Sequence, residues 1–456
     1  MKFKNLDKKK IFIVGLGISG LSLAKKFKKE KIDYFCWDDN KSIRKSCLKK
    51  KLNLISPDKI DFNKIDFLIL SPGISNDHKT VSLAKKYQCE IISDIEMVKF
   101  ISNDVFLIGI TGTNGKSTTT KLIEHTIKQS KKNSFSAGNI GVPISNLKLK
   151  HNLLTYLIVE ASSFQLERIT DLRFNISVLL NITNDHIDRH KNISNYIAAK
   201  SNIFKNQSDN DFSIICIDDP ITKKLAKDFS KNSNSKLITI GSKNSKNCDF
   251  FIELKKDMLV ITDIKKNTIF RFNKNYCILR GKHNLPNILT CFVISELLKI
   301  DKHIFLESLK TFKGLEHRFE YFKKYKNIEF YNDSKSTNVE SSKMALQSLD
   351  NIFWIVGGRK KPGGLDGIQN SLGNVLKAFI FGECKKDFDK YLSNYLDTET
   401  FETLDSALRK AILIALEKKK SINILLSPAS ASFDQFKNFE QRGVYFKKIV
   451  KKFVSI

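Results

Sequence analysis

The segment Val105 to Lys128 restricts the fold more than any other part of the chain. Val105-Phe106-Leu107-Ile108-Gly109-Ile110 is a short apolar run that reads as a buried strand, and Lys121-Leu122-Ile123-Glu124-His125-Thr126-Ile127-Lys128 looks helical. Between them lies Thr111-Gly112-Thr113-Asn114-Gly115-Lys116-Ser117-Thr118-Thr119-Thr120. A strand, a glycine turn and a helix start in that order aim backbone N–H groups and the positive helix end at an anion. A Lys ammonium and a Ser hydroxyl can then reach terminal phosphates and magnesium. ATP or GTP is the natural ligand. The general P-loop pattern has a glycine where this chain has Ile110, so the loop is a variant with glycines at 109 and 112.

At 456 residues the chain exceeds one ordinary core, which predicts about three domains. The formal net charge is +30, yet 68 of the 78 basic residues are Lys and 10 are Arg, spread along the chain. Readers of nucleic acid favour clustered Arg with interleaved aromatics, whereas diffuse Lys suits solvated faces, so no nucleic acid partner is expected. The positive field favours anionic substrates. Eight Cys, at 36, 47, 89, 216, 248, 277, 291 and 384, show no CxxC spacing, and reduced, buried thiols in a cytoplasmic protein are expected. The apolar run Ile11 to Ala24 is broken by three glycines and followed by Lys25-Lys26, unlike a cleaved leader. No stretch reaches membrane-spanning length, so stable membrane insertion is not expected.

Strand Ile11 to Val14 leads into Gly15-Leu16-Gly17-Ile18-Ser19-Gly20, a G-x-G-x-x-G turn at the mouth of the helix Leu21 to Glu30. A second strand, Ile32 to Trp37, ends at Asp38-Asp39. Alone this Rossmann-like unit would point to NAD, but any pyrophosphate suits the same helix end. The run Phe67 to Leu70 enters the turn Ser71 to Ser75, and a boundary near Lys99 to Asp104 precedes the P-loop unit. Strand Leu154 to Val159 ends on Glu160, and strand Ile176 to Leu180 leads to Asn184-Asp185-His186, an oxygen and a nitrogen ligand brought to one edge. A carboxylate at a strand end beside a P-loop is well placed for magnesium. From Phe212 to Asp263 short strands alternate with Lys/Asn turns, without a site, and Gly281 to Asn287 opens an amphipathic helix reaching about Leu298. Strands Ile328 to Tyr331, Ile352 to Val356, Ala378 to Phe381 and Ile422 to Leu426 all run into polar ends, the ligand edge of a parallel sheet.

Thr111 to Ser117, Glu160 with Ser162-Ser163-Phe164-Gln165-Leu166, Asp185-His186, Gly281 to Asn284, Leu315 to Phe319, Asn332 to Asn338 and Ser427 to Phe433 recur in order along the whole chain. In these motifs the chain resembles the Mur ligases, and within them the branch that adds D-glutamate to UDP-N-acetylmuramoyl-L-alanine in peptidoglycan synthesis. The resemblance implies a three-domain α/β protein: a Rossmann-like N-terminal domain (1–98), a central P-loop mononucleotide-binding domain (99–313) and a Rossmann-like C-terminal domain (314–456). It implies ATP, which phosphorylates the substrate carboxylate before an amine attacks, and two magnesium ions. Gly112, Thr113, Asn114, Gly115, Lys116, Ser117 and Thr118 would hold the ATP phosphates, with Asn284, Asn287, Arg318, Asp333 and Lys335 completing that site. Ser117, Glu160, His186 and a carbamylated Lys200 would serve the metals, and Lys116, His186 and Lys200 would be the catalytic residues. UDP would lie on Gly15, Gly17, Ile18, Ser19, Gly20, Asp38 and Gly73, with Asn139 on the substrate path, and D-glutamate on Thr337, Lys361, Ser427 and Phe433. Two departures stand out: Asn184 occupies a place where relatives often carry Glu, and Lys361 is chosen over Lys360 by its spacing from Gly357-Gly358.

Within the same class, a sister ligase or a folylpolyglutamate synthase would differ in the third-domain loops. A nicotinamide-dependent dehydrogenase would use Gly15 to Gly20 but leave the P-loop idle, and a regulatory or nucleic-acid-stimulated P-loop ATPase would show hydrolysis strongly stimulated by nucleic acid in the absence of an amino-acid acceptor.

Overall fold

The computed structural model describes residues 3–101, 104–147, 149, 153–242, 248–279, 281–360 and 363–454. The chain forms two compact units, one of residues 1–277 with 285–311 and the other of residues 278–284 with 312–456. The first unit contains two sheets and the second contains one.

The first sheet comprises β1 (Ile11–Val14), β2 (Tyr34–Trp37), β3 (Phe67–Leu70) and β4 (Glu90–Ser93), all parallel, in the order β2-β1-β3-β4. Helices α1 (Ile18–Glu30), α2 (Lys41–Lys49) and α3 (Lys79–Lys86) connect them. Every residue of β1 and β3 is buried, as expected of parallel strands covered on both faces. On one face Leu23, Ala24 and Phe27 of α1 pack with Phe3, Ile13 and Tyr34; on the other Phe12 and Leu68 meet Phe62, Val81 and Ala84. Each fully buried large side chain of this kind contributes about 1.5–3 kcal/mol.

The second sheet holds β5 (Val105–Thr111), β6 (Ser134–Gly138), β7 (Thr155–Glu160), β8 (Ile176–Leu179), β9 (Phe212–Cys216), β10 (Lys236–Gly241), β11 (Phe250–Lys255), β12 (Met258–Asp263) and β13 (Thr268–Asn273). Their order is β13-β12-β11-β10-β9-β8-β5-β7-β6, parallel except for the β11-β12-β13 hairpins. Its helices are α4 (Lys116–Gln129), α5 (Ser163–Leu166), α6 (Ile187–His190), α7 (Ile193–Ser201), α8 (Pro220–Asn232), α9 (Leu285–Leu297) and α10 (Lys302–Thr311). The Phe212 to Asp263 stretch contains α8 in addition to the expected strands. Its start carries a recognisable signal, since Asp219 caps the Thr222 N–H and Pro220 occupies the first turn. The expected amphipathic helix after Asn284 is α9, and it is buried on nearly all sides because it packs on α4 and beneath β10 and β11. Gly109 belongs to β5 and not to the phosphate loop: the Phe174 ring lies 2.8 Å from where its β-carbon would stand.

The second unit is built on β14 (Glu320–Tyr325), β15 (Ile328–Asn332), β16 (Ile352–Gly357), β17 (Val375–Phe381), β18 (Thr398–Phe401) and β19 (Ile422–Leu426). Their order is β14-β15-β19-β16-β17-β18, with only β14 antiparallel. Helices α11 (Val339–Leu346) and α12 (Lys385–Leu392) pack on one face, through Trp354, Leu346 and Phe388. Helices α13 (Leu404–Leu416) and α14 (Phe439–Val454) pack on the other, through Phe379, Leu408 and Phe446. All eight cysteines are buried and unbridged.

Candidate active site

Strand β5 lies between β7 and β8 and parallel to both, so the loop after β5 opens at the sheet edge where β7 ends on Glu160 and β8 runs into Asn181 to His186. Gly115 adopts φ 85°, and a β-carbon there would stand 2.6 Å from Asn287 Oδ1, so the turn into α4 requires glycine on two counts. Asn181 pins the loop. Its Oδ1 accepts from the Asn114 N–H at 2.8 Å, its Nδ2 donates to the Asn114 carbonyl at 3.0 Å, and its own carbonyl accepts from the Thr113 N–H at 2.9 Å. Thr113 Oγ1 lies 3.1 Å from Tyr196 Oη, and Thr119 donates to Asn287 Oδ1 at 3.0 Å. Neither Asn181 nor Tyr196 was prominent in the sequence; an amide directly after a strand beside a P-loop was the available signal for the first.

Two ammonium groups converge on this loop. Lys116 Nζ donates to the Gly112 and Thr113 carbonyls, each at 2.8 Å, and Lys200 Nζ donates to the same Gly112 carbonyl at 2.8 Å. Lys200 is buried on α7 with its ammonium 4.7 Å from the centre of the Tyr196 ring. Burial first, and then the Lys116 charge, hold it well below the usual lysine range. A lysine biased toward its neutral amine is nucleophilic in a way that a solvated surface lysine is not.

Glu160 is buried at the end of β7. Its Oε1 accepts from Asn139 Nδ2 at 2.8 Å, and its Oε2 has no hydrogen-bond partner among the described residues. An orphaned carboxylate oxygen inside a protein is costly unless something meets it. A hard divalent cation, which takes oxygen ligands, suits such a carboxylate oxygen. Asn139, assigned from the sequence to the substrate path, therefore also orients Glu160. His186 lies beyond β8 in a left-handed turn, φ 54°, with its ring half exposed, 5.0 Å from the Phe164 ring and 3.5 Å from Asp185. Phe164 is in turn stacked on His190 and on the Arg189 guanidinium.

The G-x-G-x-x-G turn lies at the end of β1, with Gly15 at φ 89° and no room for a β-carbon on Gly20, which would come within 2.0 Å of the Gly15 carbonyl oxygen. Asp38 uses both carboxylate oxygens on backbone, accepting from Leu16 N–H at 2.6 Å and Asn40 N–H at 2.9 Å, so it shapes this turn. Ile18 is strongly exposed at the helix start, and Ser19 bonds to Asp94. The turn carrying Gly73 is fastened by Ser71, which donates to the Gly15 carbonyl at 2.6 Å, and by Arg168, whose Nη2 donates to Ile74 O and Asn76 Oδ1 at 2.7 Å each. Arg189 Nη2 also reaches Ile74 O, at 2.5 Å.

In the second unit, Asn284 Nδ2 lies 3.1 Å from His283 Nε2, while Asn287 belongs to the first unit. Asp333 follows β15 and accepts from Phe319 N–H, Ser336 Oγ and Ser427 Oγ at 2.9, 2.5 and 2.9 Å. Ser427 is fully buried, and its Oγ also lies 3.0 Å from Ser342 Oγ, so its hydroxyl is engaged inside the protein. Lys335 Nζ stands 4.0 Å over the Phe439 ring, the Thr337 N–H donates to the Lys335 carbonyl at 2.8 Å, and Phe433 is exposed. Lys361 lies outside the described residues; its neighbour Lys360 pairs with Asp387 at 2.8 Å. Arg442, absent from the sequence reading, is fully buried and ties the two loops together, donating to Ser334 Oγ and O and to the Ser430 and Ala431 carbonyls. Burial lowers its pKa to about 10.

Burial lifts the Asp333 carboxyl to about 6 against the hydrogen bonds that pull it down. Its folded-state pKa is above the unfolded value, so the folded chain holds the proton more tightly and stability falls as pH rises from about 4 to about 6. Relative to the parent, Asp333→Asn is therefore expected to be up to about 3 kcal/mol more favourable at pH 7 than at pH 4, at about 1.4 kcal/mol per unit, whatever its pH-independent cost from the hydrogen bonds an amide nitrogen cannot accept. Urea unfolding at both pH values measures this, and an equal effect at the two would rule out the burial account.

The fold and loop define a P-loop α/β protein with a buried lysine and a buried carboxylate at the sheet edge where the loop opens. Residues 110–295 match the family model for the Mur ligase middle domain, and residues 9–93 match the model for the Mur ligase MurD-like N-terminal domain. The UDP-N-acetylmuramoylalanine--D-glutamate ligase of Rickettsia prowazekii (strain Madrid E) is 36% identical over 450 residues, covering 98% of each chain. The protein of the same name from Thermoanaerobacter pseudethanolicus (strain ATCC 33223 / 39E) is 33% identical over 459 residues, again covering 98% of each. In fold, the MurF ligase of Thermotoga maritima, solved in complex with ADP, aligns with a TM-score of 0.60 at 16% identity, covering 98% of this chain and 99% of its own. The UDP-N-acetylmuramate-alanine ligase MurC of the same organism aligns at 0.59 with 18% identity and the same coverage. The chain belongs to the Mur ligase family.

Proposed function

We propose that the protein is the ligase that joins D-glutamate to UDP-N-acetylmuramoyl-L-alanine at the expense of ATP, in the supply of peptidoglycan precursors. The observation that carries this reading is agreement along 98% of the chain with relatives bearing that activity in their names, on a scaffold whose P-loop, Lys116, Lys200 and Glu160 meet at one sheet edge. The substrate carboxylate attacks the terminal phosphorus of ATP, ADP leaves, and an acyl phosphate forms. The D-glutamate amine then attacks the acyl carbon, loses a proton, and expels inorganic phosphate. Gly112 to Thr118 hold the phosphates, Lys116 offsets the charge that gathers on the transferred group, and Asn284, Asn287, Arg318, Asp333 and Lys335 serve the nucleotide.

Two magnesium ions are proposed, with Ser117, Glu160, His186 and Lys200 as the protein's share of the donors; when bound they supply charge neutralisation on the phosphates. Carbamylation of Lys200 is part of the same reading: the ammonium gives up one proton, the neutral amine adds to the carbon of CO2 and loses a second, and an anionic carbamate stands where the cation was. The depressed basicity of Lys200 supports that step. Gly15 to Gly20, Asp38, Gly73 and Asn139 are proposed for the UDP substrate, and Thr337, Lys361, Ser427 and Phe433 for D-glutamate. The domain limits 1–98, 99–313 and 314–456 and a cytoplasmic location belong to the proposal. Among the described residues no helix is long and apolar enough to cross a membrane.

Phosphate release from ATP with UDP-N-acetylmuramoyl-L-alanine tests this directly. Release is expected with D-glutamate and not with L-glutamate, L-alanine, L-lysine or no acceptor. Release with another amino acid would move the protein to a sister ligase, and acceptor-independent hydrolysis would favour a regulatory ATPase.

A further inference from the structure

The turn that presents Arg318 is strained on both sides. His317 and Phe319 have φ 65° and φ 44°, left-handed conformations in residues with β-carbons, which persist only where the surroundings over-determine them. Here they do. The His317 N–H donates to Glu320 Oε2 at 3.0 Å, its carbonyl accepts from the Lys335 N–H at 2.9 Å, and its Nδ1 accepts from Asn332 Nδ2 at 2.9 Å. The Phe319 N–H donates to Asp333 Oδ1 at 2.9 Å, and its ring packs 5.4 Å from Tyr331 and 5.2 Å from His283.

Two contacts come from α14 and Glu320. The His317 ring lies directly on Gly443, where a β-carbon would be 2.2 Å from Nδ1 and 2.7 Å from Cγ. Glycine inside a helix weakens it, so this position gives up helix propensity to leave room for the ring. One turn further along the same helix face, Lys447 binds Glu320 Oε1 at 2.9 Å and Glu316 Oε1 at 2.8 Å. Glu320 Oε2 meanwhile also accepts from Asn332 Nδ2 at 3.1 Å, so one carboxylate fastens the turn to both β15 and α14.

We propose that Gly443 and Glu320 are positioning residues that hold the His317-Arg318-Phe319 turn in its strained form, and so fix where the Arg318 guanidinium is delivered. The inference rests on the reading of Arg318 as a residue serving ATP. A β-carbon on Gly443 pushes the His317 ring off its seat and relaxes the turn, displacing Arg318 without touching it.

The test compares the full-length parent, Gly443→Ala, Glu320→Gln and Arg318→Ala. It uses kinetics with ATP varied, calorimetric binding of UDP-N-acetylmuramoyl-L-alanine, and thermal melting. Gly443→Ala is expected to lower kcat/KM for ATP by roughly 10- to 100-fold, the penalty typical of an ångström-scale misplacement, and Glu320→Gln by several-fold. Affinity for the UDP substrate and cooperative melting should stay near those of the parent. A purely structural role would instead lower melting temperature and affect both substrates alike. Parent-like ATP kinetics in folded Gly443→Ala and Glu320→Gln, beside an impaired Arg318→Ala, would overturn the positioning role. Parent-like kinetics in Arg318→Ala would overturn the reading of Arg318 itself. If Gly443→Ala does not fold, the kinetics of Glu320→Gln decide.

Discussion

Lys116→Ala is expected to reduce turnover by about 10³-fold or more, at the upper end of what one preorganised donor in a water-excluded site provides. In the structure the ammonium donates to the Gly112 and Thr113 carbonyls, within the loop proposed to hold the phosphates. Removing it also removes a like charge that disfavours the protonated form of Lys200, while the larger effect of burial remains. The loop itself should survive, because Asn181 and Asn287 brace it independently of the lysine side chain. Calorimetric binding of UDP-N-acetylmuramoyl-L-alanine should therefore be unchanged while phosphate release disappears. Retained turnover would remove Lys116 from the reaction, and lost substrate binding would mean that the loop had collapsed.

Glu160→Gln should produce the second largest effect, a fall in turnover on the order of 10²-fold, with a higher magnesium requirement. The amide keeps the size of the carboxylate and one oxygen for Asn139, but it cannot supply the anionic Oε2 that the fold leaves unmatched. Stability should rise or stay unchanged, since the amide keeps the Asn139 hydrogen bond and brings no charge into the buried site. Urea unfolding of the metal-free protein beside a magnesium titration of activity separates the two. A destabilised variant with unaltered magnesium dependence would assign Glu160 to architecture.

Much of the parallel scaffold could be read from the chain because its central strands are apolar runs with polar ends. β1, β5, β8 and β19 are of this kind, and the strand, glycine turn and helix of the P-loop announce their own geometry. Edge elements were less legible. β14 and β18 are mostly half-buried, so their residues lack the continuous apolar signature, and α8 was hidden in a stretch dominated by Lys and Asn. In the site, side chains that declare a chemistry were visible, whereas those that act by bracing were not. Asn181 resembles any turn asparagine until it is seen bonding both ways to Asn114. Gly443 resembles a defect in a helix until the His317 ring is seen on it. Ser427 shows the reverse: it stood out in its motif, yet its hydroxyl is taken up by Asp333 and Ser342.

The few arginines in this lysine-rich chain set an asymmetry in what mutation can do to it. Arg168 holds Asn76 Oδ1 with Nε and Nη2 while Nη2 also reaches Ile74 O, and Arg442 spreads Nε, Nη1 and Nη2 over Ser334, Ala431 and Ser430. Each of these tasks needs a planar fork that a single ammonium cannot imitate. Drift from arginine toward lysine can therefore run freely over the solvated faces and must stop at these joints, so a library of Arg-to-Lys exchanges would map the chain's internal fastenings without any knowledge of its reaction.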